Sequence, residues 1–75
     1  MNDTAILIKE LKATLKIKGT RSFCEVVGVS HTAIYNMIKN DRITIKFFKT
    51  LKTHEKLKGV YISDDYIVNK ILMGF

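Results

Sequence analysis

The 75-residue chain has no proline and no tryptophan, one cysteine, four glycines and seven acids. Without proline, nothing imposes a rigid kink, so its elements must end on other signals. The four glycines, at positions 19, 28, 59 and 74, are too far apart to form a glycine-rich phosphate loop. Gly19, Gly28 and Gly59 instead stand near the ends of apolar-periodic stretches, where glycine stops helices. One cysteine, Cys24, rules out an intrachain disulfide and suits a reducing cytoplasm. No apolar run approaches the roughly 18 residues needed to span a bilayer. No basic, apolar leader opens the chain, so secretion is not expected.

Apolar residues make up 47% of the chain, enough for a globular fold. The length sets one domain, residues 1–75. A chain this short buries only about 60% of its unfolded surface, which leaves a thin core. Thirteen cations against seven acids give a formal net charge of +6. That excess favours a polyanion such as nucleic acid, or an acidic protein or membrane surface. The basic helices also carry the apolar stripe of a globular core, which argues against a membrane-surface role.

Helical periodicity divides the chain into five segments. Leu7, Ile8, Leu11 and Leu15 recur at helical spacing behind the capping candidates Asn2 to Thr4, giving a helix over about 4–18 with Gly19 as its stop. "TRSFCEVV" reads as a second helix with Thr20 as N-cap and Gly28 as terminator. Ser30 caps a third helix over about 31–39. A fourth runs over roughly 44–58, with Ile45, Phe48 and Leu51 inward and Lys46, Lys49 and Lys56 toward water. Ser63 caps a fifth over about 64–73, with Asp64 and Asp65 in its first turn, where carboxylates favour the helix dipole. "GVYI" (59–62) reads as a short extended piece. The fold class is therefore all-α, a five-helix domain. Its expected core holds Leu7, Leu11, Leu15, Phe23, Val27, Val29, Ile34, Met37, Phe48 and Leu51.

The break inside "CEVVGVSHTAIYNMIKN" is the most specific feature of the chain. Gly28 can take a left-handed backbone without steric cost. Val29 then enters the core, and Ser30 accepts from the first amides of the next helix. The outcome is a helix-turn-helix unit. Such a unit needs a small residue where its helices touch, and Cys24 stands four residues before the glycine. Phe23, Val27, Val29, Ile34 and Met37 supply the apolar positions that join the pair.

The segment from Thr20 to Lys39 resembles the helix-turn-helix of the lambda-repressor-like family (Cro and C1 type), in which "GVS" before a short polar helix is common. The five helices extend that resemblance over nearly the whole chain. The sequence departs from the family where helix 2 starts, with Thr20 at a position that usually holds glutamine and contacts phosphate. The resemblance implies a transcriptional regulator that binds double-stranded DNA with helix 3 in the major groove. With Val29, Ile34 and Met37 inward, His31, Thr32, Tyr35, Asn36 and Lys39 turn outward. Ser30, His31 and Thr32 stand at the end that meets base edges. Asn36 suits adenine, and Thr32 offers its methyl group to thymine. Lys39 and Arg42 are placed for phosphates.

A second reading rests on the same helix. Its outward face has no arginine or glutamine, and His31, Tyr35 and Ile38 form a half-apolar stripe that suits a protein interface. The chain resembles, in type and not in motif, the small modulators or antirepressors of temperate phages of Gram-positive bacteria. Those act beside a phage repressor in a genetic switch, and the lysine- and isoleucine-rich composition agrees. Either way the expected location is the bacterial host cytoplasm, at the nucleoid. The sequence is compatible with repression, activation and inactivation of a repressor.

Blander readings stand beside these. Cys24 is expected as a small core residue. His31 and His54 lie in separate helices without a cysteine partner, so no metal is expected. No cofactor motif, paired catalytic carboxylates or Ser/His/Asp arrangement is present, so an enzyme is not expected. The lysine faces of helices 1 and 4 read as solvated surface. Met73 and Phe75 are candidates for a weak homodimer or partner contact, with burial in the core as the alternative.

Overall fold

The computed structural model describes residues 2–72, Leu72 by its backbone alone. Among these residues there are five helices and no strand: α1 (Asp3–Thr14), α2 (Thr20–Val27), α3 (His31–Asn40), α4 (Ile45–Thr53) and α5 (Asp64–Tyr66), which runs on as a π-helical segment (Ile67–Leu72). The all-α expectation holds. Leu7, Leu11, Phe23, Val27, Ile34, Met37 and Leu51 are buried as expected, and Leu15, Val29 and Phe48 are half-buried against them.

Each N-terminus ends on a residue whose side chain meets an unpaired amide, except that of α2. Asn2 accepts from Ala5 N–H, Ser30 from Ala33 N–H, Thr44 from Phe47 N–H and Ser63 from Tyr66 N–H. Before α2 the cap is Gly19 and not Thr20, and no side chain caps the helix. Thr20 is the first helical residue, and its hydroxyl accepts from Lys12 Nζ at 2.9 Å, tying α1 to α2.

Helix α1 stops four residues before the expected end. Lys16 takes the left-handed conformation at φ 58°. Lys16 N–H then donates to the Ala13 carbonyl at 3.1 Å and Ile17 N–H to the Lys12 carbonyl at 2.9 Å. This Schellman pair satisfies the last carbonyls and leads Ile17 back onto the core. Gly19 is thus the cap of the next helix and not the stop of this one.

Helix α4 also ends early, at Thr53 and not near 58. His54 is extended, and its Nδ1 accepts from Lys56 N–H at 3.1 Å, starting a separate turn. That turn drives Leu57 into the core at 1% exposure. The inward aromatic of α4 is Phe47, fully buried, rather than Phe48, and Ile45 is exposed. The Phe47 ring meets Phe23 of α2 edge-on, with centroids 6.5 Å apart. Phe48 lies on the flank under Lys52, whose Nζ is 5.5 Å from the ring centroid.

The expected α-helix over 64–73 becomes π-helical after Tyr66. A wider turn brings residues five apart toward one face. Tyr66 and Ile71, five apart, are both buried. Met73 and Phe75 lie outside the described residues. Residues 59–62 form no strand. No helix among the described residues is long and apolar enough to cross a membrane.

A polar seam closes the fold where the start of α1, the end of α3 and α5 meet. Asp41, left-handed at φ 52°, ends α3. Its Oδ1 accepts from both the amide and the hydroxyl of Thr4, each at 3.0 Å. Its Oδ2 accepts from Lys70 Nζ at 2.7 Å. The Thr4 hydroxyl, completely buried, is also 2.7 Å from the Tyr66 hydroxyl. Because Thr4 spends its hydrogen on Asp41, Tyr66 is the donor in that second bond. The Asn2 amide donates to the Ile38 carbonyl at the same seam. Chiefly through the bond from Lys70, the Asp41 carboxyl is held below its ordinary value. Burial raises the Tyr66 phenol.

Candidate nucleic-acid interface

The turn between α2 and α3 is built as its sequence implies. Gly28 sits at φ 71°, ψ 28°. The Gly28 and Val29 amides both donate to the Cys24 carbonyl, at 2.9 and 3.2 Å. Cys24 is buried and its thiol is free. Val29 packs against the core without being fully enclosed. A Cβ added at Gly28 would meet no atom within 4 Å, so the position needs glycine for its backbone and not for space.

Ser30 then fixes the start of α3, its hydroxyl oxygen accepting from Ala33 N–H at 3.1 Å. Ile34 and Met37 face the core, and Ile34 is held at 2% exposure. Their direction decides the rest of the helix. His31, Thr32, Tyr35, Asn36 and Lys39 are all exposed, and Tyr35 keeps 60% of its surface. Thr32 and Asn36 are four apart and Asn36 and Lys39 three apart, so they share a face. Arg42 is exposed just beyond the helix, its amide donating to the Met37 carbonyl at 3.1 Å.

Two of the residues named from sequence stand apart from this face. Thr20 belongs to α2, half-buried, with its hydroxyl engaged by Lys12. Ile38 is half-buried against the core, and its carbonyl receives the Asn2 amide. The exposed part of the His31–Tyr35–Ile38 stripe is therefore its first two members.

Beside the turn lies an open groove of about 550 Å³, with Arg21, Glu25, Val29 and His31 among its lining. Arg21 was not among the residues singled out from sequence. Its signal was present, as a cation in the first turn of α2 next to Thr20. Val26, 44% exposed on the same helix, carried no signal beyond being apolar. Chemically the surface offers an amide, hydroxyls, an imidazole and a phenol on one helix, with Lys39, Arg42 and Arg21 around them. Those groups can donate to base edges and neutralise phosphates. Among the described residues, no three of His, Cys, Asp and Glu are grouped to hold a metal ion. No protein-family model matches the chain, and no curated protein or solved structure matches it either.

Proposed function

We propose that this protein is a small helix-turn-helix transcriptional regulator of the lambda-repressor-like kind, phage-type, that binds double-stranded DNA through α3 in a bacterial cytoplasm. The observation that supports this most is the outward face of α3. Five consecutive outward positions, from His31 to Lys39, are polar or amphipathic and exposed, on a helix whose other side is locked by Ile34 and Met37. A major groove admits one such helix, and its start carries the side chains that meet base edges. In this reading His31, Thr32 and Asn36 read bases, with Ser30 and Tyr35 at the margin of the contact. Lys39 and Arg42 grip phosphates, and the net charge of +6 draws the chain to the duplex. Thr20 contributes by holding α2 against α1 more than by touching DNA, given its bond from Lys12.

The test is enrichment of duplexes from a random-sequence pool by the wild type and by Asn36→Ala. The wild type is expected to select a defined site. The variant is expected to lose preference at one base pair, worth about 1–3 kcal/mol. Identical selected sites would remove Asn36 from base reading.

The exposure of Tyr35 supports a second reading, in which the same face binds a repressor protein and blocks its hold on DNA. Exposed aromatic side chains supply much of the binding energy in small interfaces. With Ile38 turned half inward, such a contact would centre on Tyr35. Failure of the wild type to retain any duplex puts this reading first.

A further inference from the structure

The acids of this basic chain are not spread evenly. Three of the seven, Asp3, Glu10 and Asp65, line one groove of about 300 Å³ between α1 and the start of α5. Asp3, Ile6 and Glu10 lie at i, i+3 and i+7 of α1, so they form one wall. Tyr61, Asp65 and Tyr66 form the other. Of the thirteen lysines and arginines, Lys70 alone lines the groove, and its ammonium is already held by Asp41 at 2.7 Å. The groove is thus anionic on a molecule of net charge +6.

It is also apolar where it opens. Ile6 is 45% exposed and Tyr61 80%, two large side chains left in water on the two walls. None of the lining residues belongs to α2 or α3. A segment seated in the groove therefore need not touch the outward face of α3.

Charge selects the occupant. A polyanion is repelled by three carboxylates. A second copy meeting this groove with its own would set acids against acids, the pattern that excludes a symmetric contact. A volume of about 300 Å³ is at the small end of binding pockets, suited to an anchoring side chain rather than to a cofactor. We infer that the α1–α5 groove docks a cationic segment of another protein, with an apolar side chain seated between Ile6 and Tyr61 and flanking lysines or arginines facing Asp3, Glu10 and Asp65. The apolar anchor supplies the affinity, and the charges supply orientation and choice of partner.

The experiment is selection of random dodecapeptides displayed on phage against the full chain, with Tyr61→Ala and Glu10→Lys as parallel baits. Tyr61 and Glu10 are exposed, so neither change removes core, and circular dichroism of both baits checks that the helices are kept. The expected consensus is a bulky apolar residue flanked by lysine or arginine. Chosen peptides are expected to lose at least about tenfold in affinity for either variant, and to weaken as salt rises. A neutral or acidic consensus overturns the proposal. So does the absence of any enriched peptide, or binding to either variant that is unchanged from the wild type. Self-association of the wild type that Tyr61→Ala abolishes overturns it too, because a second copy would then be the occupant. The duplex affinity of both variants is measured alongside and is expected not to fall below that of the wild type, Glu10→Lys adding positive charge, so a loss of peptide binding stands apart from the DNA-binding reading.

Discussion

Helices α2 and α3 end in the same left-handed backbone conformation but on different residues. After α2 it is Gly28 at φ 71°, and after α3 it is Asp41 at φ 52°. At Gly28 there is no side chain, and a Cβ would meet nothing within 4 Å. The residue acts through its backbone freedom alone, turning the chain so that Ser30 can cap α3. At Asp41 a side chain is tolerated because it does something glycine cannot. It joins Thr4 at the start of α1 to Lys70 in the last helix. One turn makes a local motif, and the other makes the global closure. Lys16, at φ 58°, is a third case in which neither advantage is present: a strained residue whose side chain makes no hydrogen bond or ion pair among the described residues to offset it.

The largest expected effect comes from dividing the two roles of Asp41. Asp41→Ala removes the carboxylate and leaves the Thr4 amide and buried hydroxyl without their acceptor, so it is expected to cost about 2–3 kcal/mol in urea unfolding. Asp41→Gly removes the same bonds but relieves the backbone, and should cost about 1 kcal/mol less. Equal costs would mean that the left-handed position is unstrained.

The same seam sets a pH dependence. Held below its ordinary value of 3.8, Asp41 contributes stability that is fully present above that pH and is lost as pH falls through its lower folded value. Lys70 is raised above 10.5, mainly by its bond to Asp41, so its contribution is present below that pH and lost above it. The margin of the wild type over Asp41→Asn is therefore expected to be flat between these limits and to shrink at both ends.

Gly28→Val comes next. With open space around the site, the cost is that of a left-handed β-branched residue, about 1–2 kcal/mol. An unchanged melting temperature would show that the turn can rearrange, which would weaken the contrast with Asp41. The smallest effect, of opposite sign, is expected at Lys16. Lys16→Gly relieves strain but gives the unfolded chain more freedom, for a net gain below about 1 kcal/mol by chemical denaturation. A loss there would show that the lysine side chain holds the end of α1.

These three helix ends also explain what could be read from the sequence. Gly28, Ser30 and the spacing of Phe23, Val27, Ile34 and Met37 all point the same way, so the α2–α3 unit and its outward face were legible. Lys16 gives no sign of ending a helix, and the nearby Gly19 drew the boundary to itself. Phe47 and Phe48 are adjacent aromatics about 100° apart on a helix, and apolar character alone does not say which one is buried. The bonds of Asp41 to Thr4 and Lys70 cross 37 and 29 residues of sequence. Periodicity is a local signal and does not reach that far. The anionic groove escaped for the same reason, since Glu10 and Asp65 meet only after folding.

The central claim is that α3 presents a DNA-binding face. The most direct measurement is fluorescence anisotropy of a labelled duplex titrated with the wild type and with Lys39→Ala at a series of salt concentrations. Binding of the wild type is expected to fall linearly on a log–log plot of affinity against salt, and the slope for Lys39→Ala is expected to be smaller by about one. No binding of the wild type at low salt, or the same slope for both proteins, would contradict the account.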